Sequence, residues 1–517
     1  MTIRSLPMLA LALSCCLLAL PTSSARGQAE ETFSDSIDVR VINLDVVVTD
    51  RSGERVGNLR PEDFRLRIGG EEFPIDYFTE VREGRAVGVT ESAAGPLVRE
   101  GDRVPVNYLV FVDAMWGFEG SVRRQLEGIR GDLDQLLPGD QISMMLYDGE
   151  RLQRIQGWTQ IRQQIDRAFD RALAGEFGGI DRYREGRDHG AQNRNRNAFL
   201  AEGGDPLNEA KIPEGEGAQY QFRMEELFGQ MDRVTRAAAA AMQTSAPPAG
   251  RKVMLLLTGG GWISEFPESF TNGRRQEHLF RLTETANLLG FTLYVADTPL
   301  QRTGSQGLQH DALDFLADKT GGRSYKQASG IDVLERASAD VATYYWMGFT
   351  APSEGDGARY EIDLEVLKPG LKVRAREGFA DMSRQEQIDG LVRSAALLGD
   401  LPSALPLEIF FGDAERKGRR MEVPLVVRIP LDGVTMLPTA EGHTARLEMR
   451  VSGIDDEGDF NDLPVIPVTF SGPEPGPGQV ATYETTLRLR ARKHTVLVAL
   501  YDLASGNILL GEEILDL

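Results

Sequence analysis

Three predominantly apolar runs constrain this chain more than anything else in it. They lie at residues 106–112, 253–257 and 291–296. A run of this kind reads as a β-strand buried on both faces, which is the signature of a parallel sheet covered above and below. Between the runs the apolar period changes. Val122, Leu126, Ile129, Leu133 and Leu137 recur at three and four, as do Ile161, Ile165, Ala168, Phe169 and Ala172, and each set marks one face of a helix. Met224, Leu227, Phe228 and Met231 lead into alanines at 237–241, a long helix of strong formers. A helix over 277–289 should stop at Gly290. Further helices are expected near 312–319 and 333–343, and strands at 141–147 and 152–158. Strand–helix alternation of this sort implies an α/β domain with a mostly parallel, Rossmann-like sheet over 104–343.

The flanks alternate at period two instead. Val39, Val41, Leu44, Val46 and Val48 read as a strand within 37–82, and strands return at 344–350, 360–366 and 372–376. Neither set alone makes a sheet of stable size. The expectation is therefore a single β-sandwich assembled from two segments, 37–82 and 344–380, with the α/β domain inserted between them. Residues 405–517 carry strands and turns throughout, which suits a second, C-terminal β-sandwich. Residues 85–103 and 381–404 read as linkers, the latter with a short helix. Residues 175–219 hold few apolar side chains and read as a solvated insertion, with a binding loop as the other reading.

Residues 1–25 read as a secretory signal peptide. Arg4 precedes an apolar stretch that is short for a bilayer span, and Ser23 and Ala25 are small residues placed for a cut. Lipidation at Cys15 or Cys16 is the alternative. The expected location is secreted or periplasmic, with no membrane span in the mature chain. Those two cysteines are the only ones. Once the signal is removed, disulfides, cysteine zinc sites, iron–sulfur clusters and thiol catalysis are excluded. The five histidines are scattered. The formal charge of −21 disfavours nucleic acid as a partner.

The order of several short motifs resembles the exported VWFA-related proteins of acidobacterial type, built on a von Willebrand factor type A domain. The motifs are Val46-Val47-Val48-Thr49-Asp50 with Gly53, Leu59-Arg60-Pro61-Glu62-Asp63-Phe64, and Leu109-Val110-Phe111-Val112-Asp113. They continue with Leu255-Leu256-Leu257-Thr258-Gly259-Gly260, Leu316-Ala317-Asp318-Lys319-Thr320-Gly321-Gly322-Arg323, Tyr344-Tyr345-Trp346-Met347-Gly348-Phe349, and 368–376. The resemblance implies a divalent-cation site at the C-terminal edge of the sheet: Asp-x-Ser-x-Ser after the first strand, a threonine from a later loop and an Asp after the fourth strand. A hard dication needs several oxygens there.

This chain departs from that pattern. Asp113 keeps the first place, Met115 and Gly117 stand in the serine places, and Gly259 replaces the fourth-strand Asp. Thioether and glycine are poor substitutes for oxygen. The resemblance thus implies a degenerate, metal-free site with no cofactor. Apolar residues crowd the two loops instead: Met115, Trp116 and Phe118 in the first, Trp262, Ile263 and Phe266 in the other. Either they pack against one another and the insertion, or they anchor a protein partner.

Other constellations are sparse. Asp455, Asp456, Glu457, Asp459, Asn461 and Asp462 read as a charged hairpin turn rather than a calcium loop. There is no nucleophile elbow, phosphate loop or His-Glu-x-x-His, and the glycines at 259–261 lack the lysine that phosphate binding requires. The chain is expected to be a non-enzymatic protein-interaction or adhesion module. The alternatives are metal-dependent ligand binding, or a hydrolase that uses the insertion and acidic loops.

Overall fold

The computed structural model describes residues 38–89, 98–116, 119–149, 151–175, 216–259, 274–298, 306–326, 332–353, 355–398, 405–439, 442–455, 460–462 and 465–517. The first strands are β1 (Asp38–Thr49), β2 (Phe64–Ile68), β3 (Glu71–Phe73), β4 (Tyr77–Arg82) and β5 (Arg85–Val87). An α/β unit follows: β6 (Val106–Asp113), α1 (Glu119–Gly131), β7 (Gln141–Tyr147), β8 (Leu152–Thr159), α2 (Arg162–Ala174), α3 (Glu216–Ser245) and β9 (Arg251–Gly259). It continues with α4 (Arg274–Leu289), β10 (Phe291–Thr298), α5 (Gln306–Lys319), β11 (Arg323–Tyr325) and α6 (Val333–Val341). Then come β12 (Tyr344–Ser353), β13 (Arg359–Val366), β14 (Lys372–Arg374), β15 (Gly378–Ala380) and α7 (Arg384–Leu398).

The α/β unit is one six-stranded sheet in the order β11-β10-β9-β6-β7-β8. Neighbours run parallel except β7 and β8. The period of two divides each apolar run between two cores. Tyr108, Val110, Val112, Leu255 and Met144 face α1, α2 and α6. Leu109, Phe111, Met145, Leu256 and Val295 face α3, α4 and α5. Each large aliphatic side chain so buried stabilises the fold by roughly 1.5–3 kcal/mol. Two glycines are needed for the chain to turn. Gly290 ends α4 at φ +77, a conformation that L side chains avoid. At Gly322, before β11, a Cβ would lie 1.8 Å from the Leu293 carbonyl oxygen of β10.

Strands from both flanks interleave. β1 pairs antiparallel with β12 from Asp38↔Ser353 to Val46↔Tyr345, and β2 pairs with β13. The sheets β14-β1-β12-β4-β5 and β15-β13-β2-β3 share a core that includes Leu44, Val46, Phe64, Leu66, Phe78, Met347 and Phe349. The Phe64, Phe78 and Tyr345 rings meet at centroid distances of 5.2–5.7 Å, inside the favourable range for aromatic pairs.

The remaining strands are β16 (Glu408–Phe411), β17 (Glu415–Lys417), β18 (Arg420–Pro430), β19 (Leu437–Thr439), β20 (Gly442–Asp455) and β21 (Phe460–Asp462), followed by β22 (Ile466–Gly472), β23 (Val480–Leu489), β24 (Lys493–Asp502) and β25 (Ile508–Asp516). They form two antiparallel sheets over one core, lined by Val423, Leu425, Leu447, Met449, Val498 and others. β20 and β21 pair around the acidic turn, whose residues 456–459 lie outside the described ones.

Two spans read as linkers are partly ordered elements of the packing. In the span 85–103, β5 pairs with β4, and Ala86 is buried with Val81, Val104 and Tyr344. In the span 381–404, α7 is clamped on two sides. Ile388, Val392 and Ala395 pack on β24 and β25, while Leu398 joins the α3–α5 face of the α/β core. Charged neighbours interrupt this helical stripe in the sequence and obscure it. The insertion at 175–219 falls almost wholly outside the described residues.

Candidate functional site

Parallel strands β6, β9 and β10 end together, so their last side chains share one edge. The register places Val112 beside Leu257, Asp113 beside Tyr147, and Thr258 beside Asp297. Asp113 is fully buried. Its Oδ2 accepts a hydrogen bond from the Thr258 hydroxyl at 2.5 Å, and its Oδ1 accepts from the Trp116 N–H at 3.1 Å. The Ala114 N–H donates to the Tyr147 carbonyl at 2.9 Å, which fixes the turn after β6 to β7. Gln125 of α1, also buried, donates its amide to the Asp297 carbonyl at 3.3 Å. Burial pushes the Tyr147 phenol up to about 12, so it stays protonated, and it donates to the Gly149 carbonyl at 2.8 Å.

Oxygens at this edge thus come from Asp113, Thr258 and Asp297, on three different strands. Both Asp113 oxygens are already engaged by protein donors. A dication takes six or more oxygens, and among the described residues no three His, Cys, Asp or Glu side chains gather into an ion-holding group.

The apolar residues of the first loop divide. Met115, expected on a partner face, is 1% exposed and packs in the core between the sheet and α3–α5. A flexible apolar side chain fills gaps in such a core well. Trp116 is half-buried against the same core. Gly259 ends β9 opposite Thr298. Gly117, Phe118, Trp262, Ile263 and Phe266 lie outside the described residues.

A cluster of arginines around a buried carboxylate lies elsewhere among the described residues, where the α/β unit meets the first sandwich. Asp340 of α6 is 5% exposed. One of its oxygens meets Arg55 and, at 2.9 Å, Arg323. The other accepts from the Tyr294 hydroxyl at 2.6 Å and from Arg374. Burial alone would raise the Asp340 carboxyl. Arg374, the Tyr294 hydroxyl, Arg55 and Arg323 overcome it and hold the group well below the usual carboxylate range. Arg55 and Arg374 belong to the sandwich, so this one carboxylate ties the two units together. The sequence carries a sign of it. Val333, Leu334, Ala337 and Val341 form the apolar stripe of α6, and Asp340 falls inside that stripe.

No protein-family model and no curated protein matches the chain. Among solved structures, the pilus adhesin SpaC from Lactobacillus rhamnosus GG aligns over 90% of this chain and 62% of its own, at 8% identity and a TM-score of 0.25. The N-terminal domain of TFIIH p34 aligns over 46% of this chain and 97% of its own, at 10% identity and a TM-score of 0.20. The Bacteroides uniformis beta-glucuronidase covers 34% of this chain and 19% of its own, at 10% identity and a TM-score of 0.15. Likenesses this slight establish neither a shared fold nor an activity. No helix among the described residues is long and apolar enough to cross a membrane.

Proposed function

We propose that this chain is an exported, non-enzymatic protein-interaction module built on a von Willebrand factor type A-like domain whose ion site has closed. The observation that carries the reading is the bonding of Asp113. In the family pattern this carboxylate faces a cation beside hydroxyl ligands. Here its oxygens accept from Thr258 and from the Trp116 amide inside the protein, and the nearby Met115 side chain is buried apolar core. A mostly parallel sheet with helices on both faces, and Asp113 at the end of its strand, support the same reading. Trp116 remains half-exposed beside the closed site and is the described residue best placed to meet a protein partner.

Titration calorimetry of the full chain with magnesium, manganese and calcium tests the closed site. The expected result is no saturable heat. Binding near micromolar affinity that Asp113→Ala abolishes would overturn it. Affinity capture of an envelope or secreted partner, lost with Trp116→Ala or Trp262→Ala, supports the interaction role. Capture that both variants leave unchanged removes this face from the proposal.

A further inference from the structure

The outermost strands of the described sheets are for the most part short. β3, β5, β11, β14, β15, β17, β19 and β21 hold three residues each, and β16 holds four. The longer ones are interrupted or met by another strand. β8 carries register shifts against β7, β22 carries Pro467, and the Leu510 carbonyl of β25 accepts from the Leu407 N–H at 2.9 Å. β23 is different. It runs for 10 residues, holds no proline, glycine or lysine, and pairs with β18 without a break from Met421↔Leu489 to Pro430↔Val480. Among the described residues β18 is its one neighbour. Natural sheets guard such edges, because a row of open N–H and C=O groups is a template for another strand.

The ladder fixes which groups β23 presents. On the β16 side, the Gly412 N–H donates to the Pro424 carbonyl at 2.9 Å, so Pro424 turns its hydrogen-bonding side away from β23. Thr486 stands opposite Pro424. That pair is therefore one of the non-hydrogen-bonded pairs of an antiparallel ladder. The Thr486 N–H and C=O point to the open edge, as do those of every second residue along the strand. The same residues, Thr482, Glu484, Thr486 and Arg488, have exposed side chains. On the other face Leu487 and Leu489 are buried in the sandwich core, and Tyr483 packs against it. Arg488 pairs with Glu422 of β18, Nε to Oε1 at 3.0 Å. Glu484 stands opposite Val426, and no ion pair reaches it among the described residues.

We propose that the open edge of β23 pairs antiparallel with the same edge of a second copy of this chain. A two-fold axis makes such a contact isologous, each patch meeting itself. The charges select the register centred on Thr486. It sets Glu484 opposite Arg488 of the second copy, on both sides of the axis, with Thr486 facing Thr486 between them. It is the one two-fold register that does so. A centre at Glu484 or at Arg488 sets like charges opposite each other, which destabilises. The backbone agrees, because Glu484, Thr486 and Arg488 all turn their N–H and C=O groups to the open edge. On the inner face Tyr483 then falls opposite Leu489, which brings the two apolar cores together. A single strand edge is a small interface, so the pair dissociates on dilution. The contact lies on the C-terminal sandwich and is independent of the Trp116 face.

Sedimentation velocity of the full chain, from nanomolar to high micromolar concentration, tests the pairing. The expected result is a monomer–dimer equilibrium. Thr486→Pro removes an N–H that β18 does not use, and proline is tolerated at such an edge. This variant should keep the native circular dichroism and thermal midpoint and lose the dimer. Glu484→Arg and Arg488→Glu each set like charges across the axis, and each alone should weaken the dimer more than about tenfold. Mixed in equal amounts, the two variants should associate again as a heterodimer, because each chain then carries the charges that the other lacks. A native chain that stays monomeric throughout overturns the proposal, as does a dimer that survives Thr486→Pro. A mixture of the two charge variants no more associated than either alone overturns it as well.

Discussion

At the C-terminal edge of the six-stranded sheet, one buried carboxylate, Asp113, is held by a hydroxyl and a backbone amide. Beside its other edge, where the first sandwich docks, one buried carboxylate, Asp340, is held by three guanidinium groups and a phenol. The first arrangement uses neutral dipoles from residues close in space but within one unit. The second uses full charges contributed by both units. Neutral donors satisfy a carboxylate without fixing anything beyond their own turn. Charged donors on two units make the carboxylate a condition of their docking, because removing it leaves the largely buried Arg55 and Arg374, with the half-exposed Arg323, close together without a counter-ion. Open α/β sheets generally keep their chemistry at the C-terminal edge. Here the described carboxylate at that edge is already bonded within the protein, and a charged cluster around a buried carboxylate lies at the joint.

The largest effect should follow from breaking the joint. Asp340→Ala strands Arg55, Arg323 and Arg374 without their common counter-ion. A loss of about 3–5 kcal/mol is expected, read from urea unfolding of the full chain, with the sandwich and α/β unit separating into distinct transitions. A loss under about 1 kcal/mol would mean that water reaches these arginines, and the contrast between the two edges would fail.

Acid gives a second view of the same group. The folded state holds Asp340 below its ordinary value of 3.8, so folding favours its charged form. The stability it contributes is present in full above that ordinary value and is lost as pH falls through the lower folded value. The native chain should therefore lose stability below about pH 4 in a limb that Asp340→Asn lacks. Urea midpoints measured from neutral pH down to acid give the comparison. Identical acid limbs in the two proteins would remove Asp340 from the account.

Closing the other edge should be worth less. Thr258→Val keeps the shape and deletes the hydroxyl that donates to Asp113. A buried acceptor left short of one partner costs about 1–3 kcal/mol. Magnesium should restore none of it. A variant whose thermal midpoint rises with magnesium while the native one does not would show that the threonine proton alone keeps a cation out, which sharpens the closed-site reading considerably.

Much of this frame can be read from the residues. The apolar runs at 106–112, 253–257 and 291–296 carry their own instruction, since a run with apolar residues on both alternating sets leaves a strand no face for water. Local helical stripes, such as Val122, Leu126 and Ile129, are equally plain. What stays hidden is pairing at a distance. Asp113 and its Thr258 partner are 145 residues apart, and Arg55 and Asp340 are 285 apart; period and propensity say nothing about such meetings. Met115 shows a second limit. A methionine in a loop after a strand suits a surface or a gap in the core equally, and only the neighbouring aliphatic side chains decide. α7 shows a third: its charged residues conceal Ile388, Val392, Ala395 and Leu398, a stripe at helical spacing whose two-sided docking depends on units distant in the chain.

The smallest effect belongs to charges that water already serves. Arg162 Nη1 lies 2.6 Å from Asp134 Oδ1, closer than the 2.9 Å between Arg323 and Asp340 at the joint; the two arginines are about equally exposed, at 50% and 48%, but Asp134 is 85% exposed where Asp340 is 5%. Solvent screens the attraction, and ordering two long side chains offsets most of what remains. Arg162→Gln should therefore change stability by no more than about 0.5 kcal/mol, and added salt should erase even that. The same urea measurement that reads Asp340→Ala reads this variant, so the two can be set side by side. Equal losses would mean that the distance between charges, and not their removal from water, governs these ion pairs, and the distinction drawn between the joint and the rest of the surface would have no physical basis.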